Sequence, residues 1–203
     1  MSVKIIFFGD SVTDAGRDRN DRYHPGNGYV KLAAEGIAAL FPDGKTEILN
    51  RGNSGDRTEQ LLSRIEADVL SEKPDIVILE VGINDVWHRF LAGPAVSKEE
   101  FEKNYNEIIS RLKETGAKII ILQPFALDIG DKRELRPWLN LFNGIIGEIA
   151  KRETLPVIAL DEIFRNMTDI EPAQIAADGV HPVTLGCRYI ADLVVAELKR
   201  QCL

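Results

Sequence analysis

Residues 3–8 form an apolar run broken only by Lys4, and the run stops at Gly9. A continuous run of this kind predicts a strand buried on both faces. Similar short runs recur at 47–49, 75–81, 117–122 and 156–160. Between them lie longer segments with helical period, at 28–40, 57–70, 97–115, 135–153 and 182–200. The third opens with Ser97 three residues before Glu100, the pattern of a capping box, and Gly116 is a natural stop for it. Five strands alternating with five helices predict an α/β fold: one parallel sheet with helices on both faces and right-handed crossovers. No repeat, low-complexity tract or linker interrupts the pattern, so a single domain over 1–203 is expected. The irregular stretches are 17–27, 88–96 and 123–134.

In open parallel sheets, ligands bind beyond the carboxyl ends of the strands. The sequence places polar clusters there: Gly9-Asp10-Ser11-Val12-Thr13-Asp14 after strand one, Asn50-Arg51-Gly52-Asn53-Ser54-Gly55-Asp56 after strand two, and Gly82-Ile83-Asn84-Asp85 after strand three. Gln123-Pro124-Phe125 follows strand four. Four loops are thus expected to converge on one place.

Composition narrows the chemistry. The net charge of −7 argues against non-specific nucleic-acid binding, which needs a positive face. Cys187 and Cys202 form no CxxC pair and no zinc spacing, so no metal site is expected, and two free thiols suit a reducing cytoplasm. The chain opens without a basic n-region or a cleavage site, and no apolar run is long enough to span a bilayer. The expectation is a cytoplasmic protein with no membrane partner.

A serine hydroxyl is a weak nucleophile until a base takes its proton, and that base needs a carboxylate to fix its tautomer. There are only three histidines. His24 and His88 lie in expected loops with no sequence-fixed carboxylate. His181 lies in Asp178-Gly179-Val180-His181-Pro182, where Asp178 can reach the imidazole within one turn, and Pro182 is expected to open the last helix. Ser11 is the candidate nucleophile, although a serine after a strand is as often a helix cap. Asp10 is expected to order the loop through backbone hydrogen bonds. Gly55 and Asn84 can lend a backbone N–H and a side-chain amide to an oxyanion.

With these residues assembled, the chain resembles the SGNH (GDSL-type) hydrolase superfamily. Gly-Asp-Ser, Asn-x-x-x-Ser-Gly-Asp, Gly-x-Asn-Asp and Asp-x-x-His-Pro occur in the family order between Gly9 and Pro182. The resemblance implies a three-layer α/β/α sandwich with a five-stranded parallel sheet, a flavodoxin-like arrangement. It implies Ser11 as nucleophile and Asp178 and His181 as orienting acid and general base. The oxyanion hole would combine the Ser11 N–H, Gly55 and Asn84. No cofactor is implied. Details around Gly9–Arg17, Gly28-Tyr29-Val30 and Gly82–Trp87 are similar to intracellular bacterial acetylxylan esterases, which deacetylate sugars and often form higher oligomers. A small acylated substrate, such as an acetylated sugar, and a homo-oligomer are therefore the implied partners. Block one reads Gly-Asp-Ser-Val where Gly-Asp-Ser-Leu is usual.

Trp87, Tyr29 and Arg17 are candidates for the substrate cleft. A long acyl chain would need a groove, for which Phe90, Leu91, Phe125, Leu127, Leu135 and Trp138 are available if they are not core or interface. That groove would favour a lysophospholipase or thioesterase. Two other classes remain in view. One is aspartyl-phosphate chemistry at Asp10, which lacks a second Asp at Val12. The other is a non-catalytic binding module on the same scaffold.

Overall fold

The computed structural model describes residues 2–41, 46–90 and 95–202. Five parallel strands run in the order β2-β1-β3-β4-β5: β1 (Val3–Gly9), β2 (Thr46–Gly52), β3 (Ile76–Glu80), β4 (Lys118–Leu122) and β5 (Val157–Ile158). This is the flavodoxin-like order, with its switch point between β1 and β3, where the chain reverses the direction in which it adds strands. The five long helices are α1 (Tyr29–Leu40), α2 (Thr58–Asp68), α3 (Lys98–Lys113), α4 (Arg136–Glu153) and α5 (Thr184–Cys202).

The two-residue alternation of the strands sorts the core into two layers. Ile6, Phe8, Val77, Leu79, Ile119 and Ile121 face one way and meet Leu61, Ile65, Phe101, Tyr105, Phe142 and Ile146 from α2, α3 and α4. Ile5, Phe7, Ile76, Ile78, Ile120 and Leu122 face the other way and meet Val30, Ala33, Ile37, Ile190 and Val194 from α1 and α5. The helix-strand-helix sandwich follows from this sorting.

The register sets the level of the site. Gly52 pairs with Gly9, Gly9 with Glu80, Glu80 with Leu122, and Leu122 with Ile158. All five strands therefore stop along one line, and their following loops share one edge of the sheet. Close packing there requires glycine. A Cβ at Gly52 would stand 2.1 Å from the Asp14 amide nitrogen, so the end of β2 can press directly on the turn that follows β1.

Some boundaries differ from the sequence expectation. β2 extends to Gly52, well beyond 47–49, because it pairs with the whole of β1. β5 shrinks to two residues, since after Ile158 the chain turns into the short helix Leu160–Arg165. Other short helices occur at Ser11–Asp14, Ile83–Trp87 and Pro172–Ile175. Ser97 caps α3 by accepting the Glu100 N–H at 3.1 Å. Pro182 does not open α5, which begins at Thr184; the Val183 carbonyl accepts the Cys187 N–H instead. No helix among the described residues is long and apolar enough to cross a membrane.

Candidate active site

Ser11 opens a one-turn helix at the end of β1, and Asp10 caps that turn by accepting the Val12 N–H at 3.0 Å. The cap is therefore Asp10 and not Ser11, which leaves the serine hydroxyl free for other work. It lies 2.9 Å from His181 Nε2. On the far side of the ring, His181 Nδ1 is 2.6 Å from Asp178 Oδ2. The other Asp178 oxygen accepts the backbone N–H groups of Val180 and His181 at 2.9 and 2.8 Å, which locks the carboxylate into the turn. Burial raises the Asp178 carboxyl, but the bonds from the His181 ring, the His181 N–H and the Val180 N–H outweigh it and hold the group below its ordinary value. Asp178 is thus ionised near neutrality and can fix the proton on Nδ1, leaving Nε2 to accept from Ser11. A hydroxyl, an imidazole and a carboxylate in this sequence can generate an alkoxide-like nucleophile and return its proton to a leaving group.

The loops after β2 and β3 are tied to the same turn. Asp14 accepts both the N–H and the hydroxyl of Ser54, at 3.0 and 2.9 Å, and the Asn53 N–H reaches Gly9 O at 3.0 Å. Gly55 follows at φ +88°, a conformation that glycine adopts without strain, and is exposed. Asn84 gives one amide hydrogen to Asp56 O at 2.9 Å, which orients the side chain and leaves its second hydrogen. The Asp56 carboxylate is held in turn by Asn53 Nδ2 and Arg64 Nε, each at 2.6 Å. The Ser11 amide opens a helical turn and so has no intrahelical acceptor.

Of the three candidate cleft residues, only Trp87 has a described contact with this relay, its ring centroid 6.2 Å from that of His181. Tyr29 corrects the sequence reading: it is fully buried, packs edge-on against Phe7 and bonds Thr13 Oγ1 at 2.9 Å. A side chain so enclosed cannot touch a substrate. Arg17 is directed to the scaffold, its Nε donating to Gly52 O at 2.8 Å, and no described contact joins it to the triad. The suggested groove also loses members, because Phe125, Leu127 and Leu135 are core residues. Trp138 lies under Arg89, Phe90 is exposed, and Leu91 is outside the described residues.

Lys132 was not visible from the sequence. It is buried, its ammonium lies 4.4 Å from the centre of the Trp87 ring, and its stem covers Gly179 between Asp178 and Val180. It thus braces both the tryptophan and the histidine loop. His24 belongs to a different loop, where its ring accepts the N–H groups of Asp18 and Gly26. Asp10 is fully buried and capped, which leaves it no access to a phosphate. Among the described residues no group of three or more His, Cys, Asp or Glu is placed to hold a metal ion.

The sheet order and the loops gathered at its carboxyl edge are those of the SGNH-type α/β fold. The chain belongs to the GDSL-like lipase/acylhydrolase family, whose pattern matches residues 7–189, and it is accordingly a carboxylic ester hydrolase. It is similar to the acetylxylan esterase of Geobacillus stearothermophilus, at 28% identity over 96% of this chain and 93% of the relative. The crystal structure of that esterase, Axe2, superposes with a TM-score of 0.85 at 28% identity, covering 97% and 94% of the two chains. LAE5, an alpha/beta hydrolase from the metagenome of Lake Arreo, Spain, superposes with a TM-score of 0.88 at 31% identity, covering 100% and 98%. A more distant relative is the Escherichia coli (strain K12) thioesterase 1/protease 1/lysophospholipase L1, at 25% identity over 85% of this chain and 78% of the relative.

Proposed function

We propose that the protein hydrolyses small acyl esters, chiefly acetyl esters on carbohydrate, through an acyl-enzyme on Ser11. His181 takes the Ser11 proton as the hydroxyl attacks the ester carbonyl, and then gives it to the departing alcohol. A water deprotonated by the same ring releases the acid. Asp178 keeps the imidazole in the tautomer that accepts from Ser11. The Ser11 and Gly55 N–H groups and the Asn84 amide stabilise the oxyanion.

The observation that carries this reading is the relay of 2.9 and 2.6 Å from Ser11 through His181 to Asp178. Three further Axe2 structures are described as catalytic mutants, with a serine, an aspartate and a histidine replaced. The preference for a short acyl group rests on Trp87 beside the ring and on the loss of Phe125, Leu127 and Leu135 to the core. A nitrophenyl ester series tests it. The expected result is a steep fall in kcat/KM from acetate to octanoate, together with acetate release from acetylated xylo-oligosaccharides. A rise towards octanoate would favour the thioesterase or lysophospholipase reading that the Escherichia coli relative brings.

A further inference from the structure

Trp87 closes the short helix that also carries Asn84, and its ring lies beside that of His181. Nothing local fixes the ring there. Trp87 is the last residue of its helix and only partly buried, and among the described residues no hydrogen bond holds its indole N–H. Lys132, from the loop after β4, supplies the constraint. Its ammonium stands 4.4 Å from the centre of the ring, and its anionic partner is the exposed Asp131, 2.5 Å away. The stem of Lys132 is fixed as well. Gly179 has φ +87°, and a Cβ there would stand 3.1 and 3.3 Å from Lys132 Cγ and Cβ and 2.8 Å from Leu127 O. The Leu127 N–H donates to Gly179 O at 2.8 Å, and the Lys132 N–H donates to Ile129 O at 3.0 Å. One side chain thus joins the helix of Asn84 and Trp87 to the turn of Asp178 and His181.

We propose that Lys132 is a specificity-determining residue: its ammonium pins the Trp87 ring against His181, and the pinned ring limits the length of the acyl group that Ser11 accepts. This rests on the acyl preference already proposed and names the residue that enforces it. Lys132 is a positioning residue, since it acts through Trp87 and touches no substrate. A buried ammonium over an indole face is held more strongly than an exposed one, because water does not compete for the cation. Burying a lysine costs much of its rotamer freedom. Here that loss is set against three contacts: the ring, Asp131 and the Gly179 backbone. A ring free to swing would yield to a longer chain. With Lys132 in place, moving the ring also breaks the cation–ring contact, so each long ester meets a cost that acetate does not.

The experiment has two arms, and the first needs no activity. Trp138→Phe leaves Trp87 as the one tryptophan in the chain. Its fluorescence anisotropy should then decay only with the tumbling of the whole protein. Lys132→Met keeps an apolar stem on Gly179 but removes the charge, and should add a nanosecond component. A large nanosecond component with Lys132 in place would overturn the pinning, whether or not the variant folds. The second arm compares kcat/KM on nitrophenyl acetate and nitrophenyl hexanoate. Lys132→Met should lower the acetate-to-hexanoate ratio about tenfold, through a smaller KM for hexanoate, with kcat on acetate within about twofold. Lys132→Arg should restore the ratio, because a guanidinium also stacks on an indole. In a Trp87→Leu background, Lys132→Met should leave the ratio where it is. A ratio unmoved by Lys132→Met would overturn the specificity role, and an equal shift with and without Trp87 would overturn the route through the ring. A wild type that prefers hexanoate would instead count against the proposed function, and the anisotropy would still decide whether Lys132 holds Trp87.

Discussion

The two halves of the relay are built in opposite ways. The Ser11 turn stands on a dry polar floor: Asp10, Thr13, Tyr29 and Glu80 are buried, and each is bonded to another member of the group or to the turn itself. The Asp178–His181 turn is open, with both side chains nearly half exposed (47% and 46%), and is held by its own backbone bonds and by Lys132 on Gly179. In the proposed reaction the nucleophile must be fixed in space, whereas the base must exchange protons with water in each cycle. Substitutions on the open side should therefore cost rate without stability, and substitutions in the floor should cost stability first.

The largest expected effect is at Ser11. Ser11→Ala should lower kcat by about 10⁴- to 10⁶-fold, with an unchanged melting curve. Asp178→Asn should leave the fold intact and reduce kcat by about 10⁴-fold, because the wrong tautomer is favoured. Equal loss of stability and rate in either variant would erase the contrast between the two sides. Asn84→Ala should reduce kcat by about 10²- to 10³-fold with little change in KM, as expected for a donor used mainly in the transition state. A change confined to KM would remove Asn84 from the oxyanion hole.

The buried polar groups make smaller predictions, read in urea. Burial pushes the Asp85 carboxyl up to about 7, against lowering by the Thr58 hydroxyl and N–H. Its folded value lies above its unfolded value, so the native state binds the extra proton, and stability should fall as pH rises from about 4 to about 7. Asp85→Asn should flatten that slope, by about 1–3 kcal/mol across the window. Tyr29→Phe should cost about 1 kcal/mol through the lost bond to Thr13, and should leave KM for acetate esters unchanged. A KM rise with no loss of stability would return Tyr29 to the cleft.

Most of the architecture and the Asp178–His181 contact were legible because both are written in local pattern. Apolar runs located the strands, and Asp178 and His181 lie within one turn of each other. Tyr29 was misread although a signal was present: Tyr29, Ala33 and Ile37 share one helical face, and that face is core. Lys132 had no such signal, since its partner Trp87 is distant in sequence and the two meet only through tertiary packing. The contact of Thr13 with Glu80 depends on β1 and β3 being neighbours in the sheet, which periodicity cannot supply.

The central claim is that the Ser11 hydroxyl is the group that becomes acylated. Treating the native protein with a fluorophosphonate and mapping the adduct by mass spectrometry tests it directly. The account predicts one stoichiometric label on Ser11, formed at a rate that collapses in His181→Ala. A folded protein that stays unlabelled, or carries the label on another serine, would contradict it.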